Sequence, residues 1–455
     1  MSLNIGTFEV IFSTNMQEAI GVISSKLIIH FIVGAIVGLV FVFIRFKYIK
    51  RASWYNILVL FIISLVLLAI AKIPEDHMKT LKNNYNAKAI DTTGRGFDIM
   101  PEKIYENFYH LIRNRIIFNY QLYKREQYTT VKDVTYDNKS DEKIIILILT
   151  DALRPDHMSI NGYHRDTTPL MKKNGFISFN DMYACDTATT RSVPCLLTRM
   201  KRKTDMYAYL DEPSLFNMFN SANFYTAWFS AQGFISTADR GQAIIARDAK
   251  YNLFEKEYSV GIDRDLYKYI DEVLNYDYKN KFFIIQLNGS HWDYNVRFKK
   301  EDAKYLPLCN QFALDCPVEN LVNSYDNTIN ETDRFVNGII ERVKDKNAVV
   351  YFTSDHGQFL GEGGLRLHSH SRLQYKEVGV VPFAVWFSES AKKDVDLSII
   401  EKNKNKISTH DAVFHSIVGC SGIKSSMVND EENICSEKFI EAPNEFENYI
   451  SKPLE

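Results

Sequence analysis

The stretch KIIILILTD, Lys143–Asp151, decides the fold of this chain. It begins with a predicted strand, KIIILILT (Lys143–Thr150), whose apolar residues form a continuous run rather than an alternating one. Continuous runs of this kind are typical of strands that are covered on both faces of a sheet. Three later stretches have the same character: FYTAWFS (Phe224–Ser230), FFIIQLN (Phe282–Asn288) and AVVYFTS (Ala348–Ser354). The sequence therefore predicts a buried central sheet.

Helical patterns lie between these predicted strands. In Leu321–Asp345, for example, apolar residues recur at spacings of three and four. Strands that alternate with helices predict parallel crossover connections, and hence an α/β sandwich with a mostly parallel central sheet. Ligands of such sheets bind at the carboxyl ends of the strands, so candidate functional residues are expected there.

Acidic and imidazole side chains follow the predicted strands. They are Asp151 after the first run, His291 after the third, Asp355 and His356 after the fourth, and His368 and His370 farther along. Carboxylate oxygens and neutral imidazoles are the ligands of zinc, or of a similar divalent ion, at catalytic sites that keep an open position. A single histidine is more often a hydrogen-bonded structural residue, but the grouping at successive strand ends predicts a metal site.

The loop CDTATTRSVPC, Cys185–Cys195, offers four hydroxyl groups between two cysteines. A bound metal lowers the pKa of a coordinated hydroxyl and so turns it into a nucleophile near neutral pH. A disulfide across the loop would hold that oxygen in place, and a helix that opens at SVPCLLTRM would favour an anion there. The alternative is a stapled turn whose hydroxyls only cap this helix. Because of the metal-ligand set, the sequence favours the nucleophile.

The N-terminal part of the chain contains two long apolar segments. Leu27–Ile44 and Tyr55–Ala71 are each about long enough to cross a hydrocarbon core of roughly 30 Å as a helix. We interpret them as transmembrane helices. A buried hairpin of a soluble protein is the alternative, and a cleaved signal peptide fits less well, because the first segment is long and no small-residue cleavage site follows it.

The basic loop RFKYIKR, Arg45–Arg51, is typical of a cytoplasmic connection. It places everything after Lys72 on the outer side of the membrane. We therefore expect a membrane anchor over residues 1–75, a helical linker over 76–140 and an extracytoplasmic catalytic domain over 141–455.

Charge and cysteine content limit the possible partners and the compartment. The 54 basic and 56 acidic residues leave a net charge of −2, which gives no field that would attract nucleic acid. The six cysteines form three sequence-local pairs, Cys185 with Cys195, Cys309 with Cys316, and Cys420 with Cys435. Fifteen pairings are possible, but short loops close at low entropic cost, and disulfides persist outside the cytoplasm. A zinc cluster is the alternative, although no CxxC spacing supports it.

These stretches resemble the membrane phosphoethanolamine transferases that modify lipopolysaccharide in Gram-negative bacteria, within the alkaline phosphatase and sulfatase superfamily. The matching segments keep the family's order and cover most of residues 143–387: TDALRPDHMSINGYHRDTTP, CDTATTRSVPC, NGSHWDY, NSYDNTINETD, TSDHGQFLGEGGLRLH and VGVVPFAVWF. The resemblance implies an alkaline-phosphatase/sulfatase-like fold, and an inner-membrane protein with its catalytic domain in the periplasm.

The resemblance also implies roles for individual residues. Thr189, between Thr187 and Thr190, takes the place of the family's nucleophile. The implied zinc (Zn²⁺) ligands are Asp151, Thr189, Asp355 and His356. His291 and His368 stand where the family binds substrate phosphate or a second zinc. Farther toward the N-terminus, Thr14 and Glu18 correspond to residues of a periplasmic helix that approaches the active site.

The chain departs from the family pattern at several positions. Asp151 replaces the usual Glu and is one methylene shorter, and Gln358 stands where a Glu commonly follows the DHG. After Trp228, where the family offers polar and basic substrate contacts, Gln232 and Ser236 are the rough counterparts. In the N-terminal helix, Val10 replaces an expected Asn.

The implied reaction is a double displacement. Thr189 attacks the phosphorus of phosphatidylethanolamine, diacylglycerol leaves, and a lipid A or core-sugar acceptor then takes the phosphoethanolamine from the threonine. The alternative within the superfamily is a metal-dependent phosphodiesterase or sulfatase-like hydrolase, or a glycerol-phosphate transferase. A sulfatase would need a nucleophile in a CxPxR-type context, which is absent from the sequence. A membrane-tethered scaffold without activity is the non-enzymatic alternative.

Overall fold

A central mixed sheet organises the part of the chain that the structure, a computed structural model, describes. The described residues are 131–136, 142–202, 208–232, 241–254, 262–368 and 375–443, and all belong to one compact unit. Within those ranges no helix combines the length and the apolar composition that a membrane span requires. The predicted spans 27–44 and 55–71 lie outside the described residues and stay predictions, as do the positions of Thr14, Glu18, Ser236 and His370.

The strands of the described ranges are β1 (Thr135–Tyr136), β2 (Lys143–Thr150), β3 (Ile177–Tyr183), β4 (Tyr225–Ser230), β5 (Tyr251–Phe254), β6 (Asn280–Gln286), β7 (Ala348–Ser354), β8 (Phe359–Leu360), β9 (Arg366–Leu367), β10 (Val380–Phe387), β11 (Ser408–Thr409) and β12 (Ile423–Lys424). The α-helices are α1 (Pro169–Asn174), α2 (Thr189–Leu197), α3 (Leu215–Ser221), α4 (Gly241–Ala246), α5 (Tyr267–Leu274), α6 (Val318–Val343), α7 (Lys376–Gly379), α8 (Leu397–Asn403) and α9 (Asp411–Cys420).

The main sheet has eight strands in the order β11-β3-β10-β7-β2-β6-β4-β5. Only β10 runs antiparallel to its two neighbours in this sheet, β3 and β7, and the other pairings are parallel. The predicted α/β architecture with a mostly parallel sheet is therefore confirmed. At its centre, Ile146 of β2 pairs with Phe283 of β6 on one side and with Val350 of β7 on the other.

Two apolar layers cover the sheet, one on each face. Successive residues of a strand point to opposite faces, so Ile145 and Leu147 join one layer while Ile144 and Ile146 join the other. Both faces of β2 are covered, which explains why its residues Ile144–Leu149 are all apolar. The strand ends are consequently the places where polar side chains emerge from the sheet.

The long helix α6 holds the segment that follows β2. It begins three residues before and ends two residues before the predicted helix Leu321–Asp345. Its buried Asp326 accepts hydrogen bonds from Tyr163 Oη at 2.9 Å and Arg165 Nη1 at 2.8 Å, and lies 2.7 Å from His157 Nδ1. Several polar partners compensate for burial of this carboxylate, and together they hold residues 157–165 against the helix.

The three predicted disulfides are confirmed: Cys185–Cys195, Cys309–Cys316 and Cys420–Cys435. No free cysteine is found among the described residues, and these six are all that the sequence contains. Beside the last bridge, β12 pairs with β1, so the described end of the predicted linker joins a strand of the catalytic domain.

Replacing Cys185 and Cys195 together by alanine is expected to lower the free energy of unfolding by about 3 kcal/mol, because the bridge closes a short loop in the unfolded chain. Urea unfolding under non-reducing conditions measures the loss. The double variant Cys420→Ala/Cys435→Ala, which opens a loop of similar length, is the matched control and should lose a similar amount. A change well under 1 kcal/mol in the first variant would show that Cys185 and Cys195 are not bridged.

Candidate active site

The ends of β2, β6 and β7 meet at one edge of the sheet. Asp355 N donates to Thr150 O at 3.2 Å, and Ser290 N donates to Asp151 O at 2.9 Å. The turn between β6 and His291 passes so close that a Cβ on Gly289 would lie 1.9 Å from Thr150 Oγ1, and Gly289 itself has a φ of +55°. Glycine is required here because it lacks the Cβ and tolerates this backbone conformation.

Three side chains at this edge form a cluster that can hold a metal ion. Asp151, Asp355 and His356 each offer one donor atom, and these atoms lie within 4.8 Å of one another. His356 Nε2 is 3.8 Å from Asp151 Oδ1 and 3.5 Å from Asp355 Oδ2. On the other side of its ring, His356 Nδ1 lies 2.8 Å from Gly357 O, which can only accept a hydrogen bond. Nδ1 therefore carries a proton, and Nε2 is the ring atom that faces the carboxylates and could bind a metal.

One oxygen of this cluster needs a partner that the described residues do not supply. Asp355 Oδ1 accepts hydrogen bonds from Ala152 N at 3.2 Å and His356 N at 2.8 Å. Asp355 Oδ2 is buried and has no hydrogen-bond partner among the described residues. A buried carboxylate oxygen is costly unless it is paired or coordinates a metal. This atom, and the mixture of carboxylate and imidazole donors around it, fit a zinc ion.

Thr189 is the loop hydroxyl that reaches the cluster. Its Oγ1 lies 3.4 Å from Asp151 Oδ2 and 3.4 Å from His356 Nε2. Thr187 is fully buried, and Ser192 Oγ donates to Asp355 O at 2.6 Å. The helix expected at SVPCLLTRM begins three residues earlier, so Thr189 is its first residue. The partly exposed hydroxyl therefore stands at the positive end of α2, where a phosphate group would be favoured.

His410 was not predicted from the sequence, and it contacts the loop Cys185–Cys195. Its Nδ1 accepts a hydrogen bond from Cys185 N at 3.2 Å, so the neutral ring carries its proton on Nε2 and donates to Ser354 O at 3.0 Å. Ser192 Oγ is also 3.2 Å from Nδ1. His410 thus connects the loop that carries Thr189 with the strand end that carries Asp355. No local pattern in the sequence around it indicates this role.

Burial, with smaller contributions from nearby Arg202 and His356 and against an opposing effect of the hydrogen bond to Ser354 O, lowers the pKa of His410 from 6.5 to about 3. The unfolded chain therefore binds a proton that the folded chain does not, between these two pKa values. We therefore expect the free energy of unfolding to decrease as the pH is lowered below 6.5. His410 should contribute up to about 1.4 kcal/mol per pH unit to this decrease.

Urea unfolding at pH 7 and pH 5, with a chelator present, measures this dependence. His410→Gln can make the hydrogen bonds to Cys185 N and Ser354 O without titrating, so its stability should vary less with pH than that of the wild type. His164→Gln, at an exposed histidine, is the control and should behave as the wild type. Identical pH profiles for His410→Gln and the wild type would contradict the assignment.

The two glutamines named in the sequence analysis contact the site directly. Gln232 Nε2 donates to Asp151 Oδ2 at 2.7 Å. Gln358 Nε2 donates to Ser290 O at 2.9 Å and to Tyr294 Oη at 2.5 Å. Gln358 therefore ties the turn after β7 to the loop that carries His291, a role that its place in the sequence did not suggest.

His368 lies next to His356, and His291 lies next to His368. The ring of His368 is 4.1 Å from that of His356 and 5.8 Å from that of His291, measured between centroids. His291 Nδ1 is 2.8 Å from Trp292 O, and Arg297 Nε donates to His291 O at 3.1 Å. The structure thus places the predicted residues Thr189, Gln232, His368 and His291 around the cluster of Asp151, Asp355 and His356, and their roles stay predictions.

Comparisons with known proteins agree with this architecture. The "Kdo(2)-lipid A phosphoethanolamine 7''-transferase" of Escherichia coli K12 is 26% identical over 324 residues, which are 65% of this chain and 54% of that protein. The chain therefore spans about half the length of this relative.

Two solved structures share the fold. The integral membrane lipooligosaccharide phosphoethanolamine transferase A (EptA) of Neisseria meningitidis matches with a TM-score of 0.75 and 22% identity, over 96% of this chain and 82% of that one. The zinc complex of the C-terminal periplasmic domain of EptC from Escherichia coli matches with a TM-score of 0.61 and 20% identity, over 69% of this chain and 91% of that one. The predicted resemblance to the phosphoethanolamine transferases and the alkaline-phosphatase/sulfatase-like fold are confirmed.

The family model that matches is that of the sulfatases, and it covers residues 143–423, from the beginning of β2 to the first residue of β12. This range is more than half of the 455 residues and contains every member of the metal-capable cluster together with Thr189. The chain belongs to the sulfatase family.

Proposed function

We propose that the chain transfers phosphoethanolamine from phosphatidylethanolamine to lipid A or core sugars of lipopolysaccharide, with Thr189 as the nucleophile. The observation that carries this proposal is the position of the Thr189 hydroxyl, 3.4 Å from both Asp151 and His356 in the buried metal-capable cluster. The relatives of the chain support the transfer reaction, since they bear the names of phosphoethanolamine transferases.

Asp151, Thr189, Asp355 and His356 would hold one zinc ion. The unpartnered Asp355 Oδ2 supports this assignment, as does the zinc complex of the similar EptC domain. When bound, zinc lowers the pKa of a coordinated hydroxyl and neutralises charge on a phosphoryl oxygen. His291 and His368 would bind the oxygens of the substrate phosphate or a second zinc, because the ring of His368 lies beside that of His356 and the ring of His291 lies beside that of His368.

The residues of the chain divide the transfer into two displacements. Thr189 Oγ1 forms a bond to phosphorus, and the bond from phosphorus to the glycerol oxygen breaks, so that diacylglycerol leaves with a proton. A hydroxyl or phosphate oxygen of the acceptor then attacks the same phosphorus, and Thr189 recovers its proton. The disulfide Cys185–Cys195 and the bond from Ser192 to Asp355 O keep the threonine oxygen in place for both steps.

The predicted location suits a lipid donor. The expected inner-membrane anchor would hold the catalytic domain in the periplasm and raise the effective concentration of phosphatidylethanolamine at the site. The three disulfides agree with an oxidising compartment. Thr14 and Glu18 remain predicted substrate contacts within this proposal, whereas Gln232, the third predicted contact, donates to Asp151 Oδ2.

A transfer assay with the full chain tests the proposal. Phosphatidylethanolamine with a labelled headgroup is incubated with the protein and purified lipid A or core-containing lipopolysaccharide. We expect label on the acceptor, and, without acceptor, a phosphoethanolamine adduct on the peptide that contains Thr189. Free phosphoethanolamine as the main product in the presence of acceptor would instead identify a hydrolase. Native protein without zinc and without turnover would favour a scaffold.

A further inference from the structure

Three glutamine side chains form a chain of hydrogen bonds that ends on Asp151. Gln232 follows β4, Gln286 ends β6, and Gln242 lies in the first turn of α4. Gln286 and Gln242 are each 1% exposed, and Gln232 is partly buried. Buried amides keep their hydrogen-bond partners because an unmade bond is costly, so this arrangement is rigid.

The orientation of the amide group in each of these hydrogen-bonded glutamines can be assigned by starting from Asp151. Gln232 Nε2 faces two atoms that can only accept, Asp151 Oδ2 at 2.7 Å and Leu287 O at 3.1 Å. Its Oε1 must therefore face away from the carboxylate, and it accepts a hydrogen bond from Gln286 Nε2 at 2.8 Å.

The orientation of the Gln286 amide follows in the same way. Gln286 Nε2 also donates to Gln242 Oε1 at 3.3 Å, and Gln286 Oε1 accepts from Ser230 Oγ at 3.2 Å. Gln232 and Gln286 thus point their donor ends toward Asp151, and Gln242 holds the Gln286 amide from the other side by accepting from it. A neutral donor orients a carboxylate without adding a positive charge that would compete with a cation.

We propose that this chain, Gln242–Gln286–Gln232, is the positioning device of Asp151, and that it holds the carboxylate in the orientation that binds the metal. The inference deepens the proposed function and rests on it, because it assumes zinc at Asp151, Asp355 and His356. It makes Gln232 a hydrogen-bond partner of the proposed metal ligand Asp151 rather than a substrate contact. It also gives a reason why Asp serves here: the shorter carboxylate ends where the Gln232 amide meets it at 2.7 Å.

Zinc affinity, measured by competition with a fluorescent chelator on the full chain, tests the inference without reference to turnover. Gln232→Met keeps the length of the side chain and removes the donor, so the affinity should fall by about 10- to 100-fold, the usual effect of losing a group that orients a metal ligand. Gln242→Met, two amides away, should have a smaller effect. Gln311→Met, at an exposed loop glutamine, is the matched control and should bind zinc as the wild type does.

The same substitution made in an Asp151→Glu variant distinguishes loss of the positioning of residue 151 from general structural damage. In Asp151→Glu the longer carboxylate no longer ends at the same point, so adding Gln232→Met should change zinc affinity by less than about threefold, well below the usual cost of losing an orienting group. An equal penalty in both backgrounds would overturn the inference.

The possible failures are distinguishable. If the wild type itself binds no zinc, the proposed function is wrong and the inference falls with it. If the wild type binds zinc and Gln232→Met binds it equally well, while its KM for phosphatidylethanolamine rises, the proposed function stands. In that case Gln232 contacts substrate and the positioning role is overturned.

Discussion

Replacing Thr189 by alanine is expected to reduce phosphoethanolamine transfer by about 1000-fold or more, the scale of loss seen when a catalytic nucleophile is removed. The substitution deletes the one oxygen that the proposed mechanism joins to phosphorus. It leaves the surrounding carboxylates and His356 in place, so the variant should still fold and bind zinc. The measurements are the rate of label transfer to lipopolysaccharide and the intact mass of the protein after incubation with donor, which should show no adduct.

Two neighbouring variants sharpen this test. Thr189→Ser keeps a hydroxyl at the same position and should retain measurable transfer. Thr190→Ala removes a buried hydroxyl that makes no hydrogen bond with the described residues, and it should leave transfer within about threefold of the wild type, as expected for a residue without such a partner. If Thr189→Ala transfers normally and Thr190→Ala does not, the nucleophile has been assigned to the wrong threonine.

The strands that define the site were predictable because their apolar runs end where the sheet ends. β2 and β7 match the predicted bounds residue for residue, since polar Thr150 and Ser354 close both runs. β6 lies two residues earlier than predicted because it begins with Asn280 and Lys281, whose polarity hides the strand. Lys281 is nonetheless buried, and its Nζ donates to Tyr278 O at 2.6 Å.

The antiparallel β10 was harder to identify because it contains Pro382, and proline argues against a strand in the middle of a sheet. The register between β10 and β3 shifts between Val381 and Phe383, so Pro382 lies at an irregularity that needs no donor from it. Its carbonyl still accepts from Thr353 Oγ1 at 2.8 Å. The carbonyl group of Pro382 thus keeps a hydrogen-bond partner at this irregularity, although the residue has no N–H group to donate.

The candidate site likewise contains residues that were predictable from the sequence and residues that were not. Asp151, Asp355 and His356 were predictable from strand ends alone, whereas the choice of Thr189 among four hydroxyls came from the resemblance. No local pattern in the sequence indicated a role for His410, because its partners Cys185 and Ser354 are 225 and 56 residues away in the chain. The residues of the candidate metal site follow a local pattern in the sequence, and the residues that contact them from behind depend on contacts that only the folded chain brings together.

Replacing Asp355 by asparagine is expected to have opposite effects on zinc binding and on the stability of the metal-free protein. Zinc affinity should fall by more than about 100-fold, beyond the range for losing an outer partner, because a charged ligand is lost. Transfer should fall with it. The metal-free variant should be more stable than metal-free wild type by about 1–2 kcal/mol, because the substitution removes a buried and unpaired carboxylate oxygen.

Asparagine suits this test because its Oδ1 can keep the hydrogen bonds from Ala152 N and His356 N that position the side chain. Zinc affinity by chelator competition and urea unfolding in excess chelator at pH 8 measure the two effects separately. Asp333→Asn is the matched control, because Asp333 is a buried aspartate remote from the cluster whose oxygens accept from Leu170 N and Met171 N. That variant should not change zinc affinity. If Asp355→Asn lowers the stability of the metal-free protein and leaves zinc affinity unchanged, Asp355 is a structural residue and the metal site is wrongly placed.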